Sequence, residues 1–146
     1  MSLGQAVQGA LDAASEGVAI ADVGGAHAEV DLEEVDRLAA RVRGVRVRRA
    51  GDFDLTNEAS DLAGRVRSLG EDLVPVEVSP VLGGAVLRTK PEHLRNHEFY
   101  ELELHGNRDL ELRRMRAEPG RDRQAVDFTL TRDQLGRLVD ELDGSR

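Results

Sequence analysis

The chain holds 28 acidic and 20 basic residues in 146, a formal net charge of −8, with no Cys and no Trp. That is one domain's worth of chain, enough to bury roughly 70% of the unfolded surface, and the missing Cys excludes disulfides and a thiol nucleophile. No run of about 18 apolar residues is present to span a membrane, and the N-terminus lacks a basic region followed by an apolar stretch, so a soluble cytoplasmic protein is expected. All the basic residues but Lys90 are Arg, an Arg bias of the kind a GC-rich genome gives, and the aromatics are Phe53, Phe99, Tyr100 and Phe128 alone. An acid excess with so few stacking rings argues against a general nucleic-acid binder.

In chain order, Leu3, Ala6, Val7, Ala10, Leu11 and Ala14 recur at helical spacing, which predicts an amphipathic helix over 3–15. Val18–Val23 is a short apolar run that suits a buried strand, followed by Gly24-Gly25. Residues 26–31 read either as a second strand hairpinned on the first or as a loop. Asp31 then offers a cap to a second helix, with Glu33 and Glu34 in its first turn and Val35, Leu38, Ala39 and Val42 as its stripe. Val45 and Val47 alternate with Arg46 and Arg48 as a strand. A third helix starts near Leu55–Asn57, with the stripe Leu55, Ala59, Leu62, Ala63, Val66 and Leu69 and a stop at Gly70. A strand over 73–78 contains Pro75, which implies a sheet edge or a bulge. Residues 17–78 thus read β-α-β-α-β, the pattern of a small parallel layer.

The second half reads differently. After a strand over 85–89 and a short connector over 91–97, three alternating runs follow. A loop through Gly106, Asn107 and Arg108 places Leu104 opposite Leu110, Leu102 opposite Leu112 and Tyr100 opposite Arg114. The third run adds Val126, Phe128 and Leu130 to the same apolar face, and the other face carries a predicted charge row of Glu101, Arg113 and Asp127. Thr131-Arg132-Asp133-Gln134 is a capping box, and Leu135, Leu138, Val139 and Leu142 form one helical stripe before Gly144. The fold class is therefore α+β: a C-terminal antiparallel β-meander closed by a helix, with an α/β-like helix-strand N-terminal half. No linker divides the chain, so 1–146 is read as a single domain with two lobes, 1–78 and 79–146.

The block from Tyr100 to Leu142, with its LELRRMR strand, EPGRDRQ loop and FTLTRDQLGRLVDEL helix, resembles the single-stranded-DNA-binding transcriptional coactivator family. The resemblance covers under a third of the chain, and the lysine-rich loop and the aromatics of that family are missing. It implies a dimer formed through the C-terminal helix and a nucleic-acid strand held on a curved sheet.

Candidate chemistry is sparse. His93, His97 and Glu98 open a His- and Glu-rich stretch that runs to His105 and could ligate a metal, but Pro91 leaves little helix to align the first two imidazoles. The turn at Val23-Gly24-Gly25 lacks the glycine spacing and the lysine of a phosphate loop. Two Arg clusters, over 41–49 and 113–123, offer paired donors to anions, with Arg46, Arg48, Arg113 and Arg116 as the candidate contacts. No catalytic residue set and no cofactor is assigned. The leading expectation is a non-catalytic protein–protein interaction or regulatory domain that binds a protein partner or itself as a homodimer. The alternatives are single-stranded nucleic-acid or anion binding through the Arg clusters, and a metal-dependent enzyme built on the cluster over 93–105.

Overall fold

The computed structural model describes residues 1–14 and 17–144. Its elements are α1 (Leu3–Leu11), β1 (Val18–Val23), β2 (Ala26–Val35), β3 (Ala39–Arg48), α2 (Leu55–Arg65), β4 (Leu73–Ser79) and β5 (Gly84–Thr89). A 3-10 turn at Pro91–His93 leads to β6 (Glu98–His105), β7 (Asp109–Arg116), β8 (Gln124–Val126), β9 (Phe128–Thr131) and α3 (Arg132–Asp143). The predicted first helix ends earlier than expected, at Leu11, and its Ser15 lies outside the described residues.

The nine strands form one sheet in the order β1-β2-β3-β7-β6-β5-β4, with β8 on β7 and β9 on β3. Every pairing is antiparallel. The sheet draws strands from both halves of the chain, and the protein is α+β, with three helices against the sheet. The inward side chains alternate with charged ones along each strand: Ala28, Val30 and Leu32 on β2, Leu102 and Leu104 on β6, Leu110 and Leu112 on β7. They meet Leu3, Val7 and Leu11 of α1, Leu62 of α2, and the whole α3 stripe in one core. Each fully buried Leu there contributes about 1.5–3 kcal/mol.

Two expectations are corrected. The second predicted helix, over 31–42, is the end of β2, a tight turn, and the start of β3. Its supposed stripe residue Leu38 is 79% exposed. The turn is closed by Asp36, whose Oδ1 accepts from the backbone N–H of Leu38 and of Ala39 at 2.7 and 2.9 Å. The residues buried in the core are Val30, Leu32, Ala40 and Val42, a strand set that shares Val42 with the helical one, while Val35 packs partly against that core. Strand pairing in the sheet overrides the local helical preference, and the parallel layer expected over 17–78 is an antiparallel sheet instead.

The third run of the meander is also not one strand. Val126 pairs with Arg114 of β7, whereas Phe128 pairs with Val42 of β3. Beyond Leu112 and Val45 the strands β3 and β7 part, and β8 and β9 line the two arms of the fork with Asp127 at the bend. A β-bulge lies beside it: on β2 Asp31 pairs Gly44 and the next residue, Leu32, pairs Val42, so Arg43 is extra. The bulge turns both Val42 and Val45 inward. A Cβ on Gly44 would lie 3.4 Å from the Leu112 carbonyl oxygen, an ordinary contact, so the crossing is close without requiring a glycine. Asp127 consequently approaches Arg41, 3.9 Å away, and the expected row of Glu101, Arg113 and Asp127 does not form.

The third predicted helix ends at Arg65, short of the expected stop at Gly70, but other predicted details stand. Leu104↔Leu110, Leu102↔Leu112 and Tyr100↔Arg114 are the observed partners across the β6–β7 hairpin. β4 is an edge strand, and its register shifts between Pro75 and Glu77, so Pro75 marks both an edge and a bulge. The Thr131–Gln134 capping box is formed, and Gly144 takes the left-handed conformation at the end of α3.

Candidate functional site

With the helices on one face, the opposite face of the sheet is a lattice of charge. Arg46 lies between Glu29 and Asp31, with ion-pair distances of 2.8 and 2.7 Å. Arg48 reaches Asp109 at 3.1 Å. Arg113 touches Glu103 at 2.7 Å, Glu111 at 3.6 Å and Glu101 at 4.0 Å. These are the pairs that alternating strands bring opposite one another, and each such pair stabilises the sheet modestly.

Glu101 is the most enclosed member, 5% exposed although it belongs to the polar face. Arg88 and Arg123 reach its Oε2 at 2.8 and 2.5 Å, and both guanidinium groups lie over the Phe99 ring. Burial pushes the Glu101 carboxyl up, but the two guanidinium partners outweigh it and hold the group below the ordinary carboxylate range. At the other end His27 sits between Asp22 at 2.7 Å and Glu29 at 3.3 Å. The Asp22 hydrogen bond, followed by Glu29, raises the imidazole above its usual value against the opposing effect of burial.

The candidate anion contacts are therefore divided. Arg46, Arg48 and Arg113 share this face, and each contacts at least one carboxylate. Arg116 stands at the far end of β7 and pairs with Glu118 at 2.7 Å. The candidate metal ligands are not brought together as a set. The His93 Nδ1 accepts from the Asp72 backbone at 3.3 Å, His97 sits at a positive φ of 63°, and Glu98 holds Arg114 at 3.0 Å. Among the described residues, the three ligand-type side chains within reach of one another are Glu103, His105 and Glu111, whose donor atoms lie within 4.8 Å.

Two further features lie off this face. A cavity of about 610 Å³ opens beside the C-terminal end of α3, lined by Arg49, Phe53, Asp54, Glu58, Asp61 and Asp143 among others. Its inner wall is structural: Arg49, 8% exposed, joins Glu58 to the Leu142 carbonyl oxygen, and the Asp54 side chain caps α2. The second is apolar. Val76, Val78, Val81 and Leu82, all exposed, fall within seven residues on β4 and the tip of the β4–β5 hairpin, with Val81 and Leu82 at 96% and 83%. Among the described residues no helix is long and apolar enough to cross a membrane.

Comparison with protein-family models, curated proteins and solved structures returns no match. The coactivator resemblance assigns dimerisation to the C-terminal helix, yet Leu135, Leu138, Val139 and Leu142 are all fully buried inside this chain. Sequence spacing did not single out the hairpin tip, because exposed Val and Leu in a turn look like any other apolar residues until the turn is known to project.

Proposed function

We propose that the chain is a non-catalytic interaction module that associates with a second copy of itself through the β4–β5 hairpin. The observation that carries this reading is the concentration of four exposed apolar side chains, Val76, Val78, Val81 and Leu82, within seven residues, whereas the other exposed large apolar residues, such as Ile20, Leu38 and Leu94, lie far apart in sequence. Exposed apolar side chains concentrated in this way mark a contact surface. Pro75 and the adjacent bulge disfavour simple addition of another strand to β4, so the contact is made by side chains at the tip. The carboxylate partners of Arg46, Arg48, Arg113 and Arg116 favour this reading over anion binding.

The test is light scattering after gel filtration over a range of concentrations. A dimer that becomes a monomer in the Val81→Asp, Leu82→Asp double variant supports the reading. Both positions are too exposed for the change to unfold the chain, and circular dichroism checks this. A wild-type chain that stays monomeric at every concentration overturns it, as does a dimer indifferent to the double substitution.

A further inference from the structure

We propose that Glu103, His105 and Glu111 bind a divalent transition-metal ion on the open face of the sheet, a site independent of the hairpin contact. Glu103 and Glu111 are direct partners across the β6–β7 hairpin, so both carboxylates leave the same face. His105 lies two residues beyond Glu103 on that face, with Nε2 3.2 Å from Glu103 Oε2. The donor atoms of the three groups lie within 4.8 Å of one another. A tetrahedral zinc ion with bonds of about 2.0–2.2 Å separates its ligands by roughly 3.3–3.5 Å, so rotation of the side chains closes the site. The backbones that carry them are already fixed by a regular ladder, which is the support a metal site needs.

The charge arrangement points the same way. Two carboxylates placed directly opposite repel one another, and here one cation, Arg113, offsets both, at 2.7 Å from Glu103 and 3.6 Å from Glu111. Arg113 has a third acidic neighbour in Glu101, 4.0 Å away. It can therefore withdraw to Glu101 and yield the gap to a doubly charged ion. Arg46 faces Glu111 from β3 but is held by Glu29 and Asp31, and Arg48 is held by Asp109, the residue opposite His105. One imidazole with two carboxylates suits zinc and its first-row neighbours better than calcium or magnesium, which prefer oxygen alone. Three protein ligands would leave a fourth position to water, and two of them, His105 and Glu111, border a depression of about 290 Å³ with His27 and Arg48.

The experiment is a zinc titration of the full chain by competition with a chromophoric chelator. One ion per wild-type chain is expected, with affinity that falls as the pH drops, because bound ligands must be deprotonated. His105→Ala and Glu111→Gln each weaken binding by at least about tenfold, whereas His93→Ala leaves it unchanged. Arg113→Met strengthens it, because the resident competitor is gone. Circular dichroism separates loss of ligand from loss of fold, and His105 is exposed enough for its variant to fold. No binding by the wild-type chain at micromolar zinc overturns the site, and so does a His105→Ala variant with wild-type affinity. Weaker binding in Arg113→Met overturns the exchange between Arg113 and the metal.

Discussion

Arg49 donates from both Nε and Nη2 to the carbonyl oxygen of Leu142, at 3.0 and 2.8 Å, across 93 residues of sequence. The last carbonyls of α3 have no helical partner of their own, and a buried guanidinium supplies one where the helix dipole favours a cation. The same guanidinium gives Nη1 to Glu58 at 2.7 Å. Glu58 also takes Arg65 at 2.6 Å, and Arg65 returns to the Glu141 carbonyl oxygen at 2.9 Å. One carboxylate of α2 thus aligns two arginines on the end of α3.

Replacing Arg49 with Met removes both bonds to Leu142 and half of the Glu58 neutralisation in a largely buried site. Breaking a buried pair from one side costs about 3 kcal/mol. Urea unfolding should show a lower midpoint with an unchanged slope. Arg49→Lys should recover only part of the loss, since one ammonium cannot reproduce the fork that bridges a carbonyl and a carboxylate. Wild-type stability in the Met variant would show that the cluster orders the cavity wall without holding it.

Two glycines of α1 should respond with opposite signs. A Cβ on Gly4 would strike the Gly136 carbonyl oxygen and the Asp140 carboxylate, where α1 and α3 cross. Asp140 accepts there from the Gly4 backbone at 2.7 Å and from Ser2 Oγ at 2.9 Å, so it caps α1 from a different helix. Gly4→Ala should destabilise by about 1–3 kcal/mol through overpacking. A Cβ on Gly9 meets nothing within 4 Å, so Gly9→Ala should stabilise by about 0.5–1 kcal/mol through helix propensity alone. Thermal midpoints that move in the same direction for both would refute the close crossing.

The contrast between these local and distant features explains what was legible. The β6–β7 register, the Thr131–Gln134 box and the edge role of Pro75 were readable because each rests on a few consecutive residues with a steric rule behind them. The stretch over 31–42 was not. Its Glu-rich, Ala- and Leu-containing composition suits a helix, and only the pairing of β2 with β3 and the neighbouring β9 make it a strand. The turn of the chain at Asp127 follows from the parting of β3 and β7, which no local pattern announces. Glu103 opposite Glu111, with His105 on the same face, was already implied by the predicted register. The three side chains are not adjacent along the sequence and meet only across the hairpin. The partners of Arg49 had no signal at all, since α2 and the end of α3 meet it only in the folded chain.

Acid should destabilise the protein chiefly through Glu58 and Glu101. Burial raises each carboxyl, but Arg49 and Arg65 on one, and Arg88 and Arg123 on the other, bring both below the ordinary range. A carboxyl depressed in the folded state binds its proton more readily when unfolded. Its contribution is complete above the unfolded value of about 4.3 and is lost as pH falls through the lower folded value. The thermal midpoint should hold near neutrality and drop below about pH 4.5. In Glu58→Gln the midpoint should start lower and fall less steeply. An acid slope identical to that of the wild type would remove Glu58 from the account.

His27 should act in the opposite sense. Its imidazolium is favoured first by Asp22 and then by Glu29, with burial opposing and Arg48 facing it from β3. A histidine raised in the folded state contributes stability that is complete below the unfolded value of about 6.5 and is lost as pH rises through the higher folded value. The imidazole proton resonances of His27 should therefore titrate above the ordinary histidine midpoint. Asp22→Asn should lower that midpoint more than any other single change on the face, because it removes the strongest hydrogen bond and leaves Glu29 still shared with Arg46. A wild-type midpoint at or below the ordinary value would mean that Arg48 outweighs the two carboxylates, and that His27 is neutral across the physiological range.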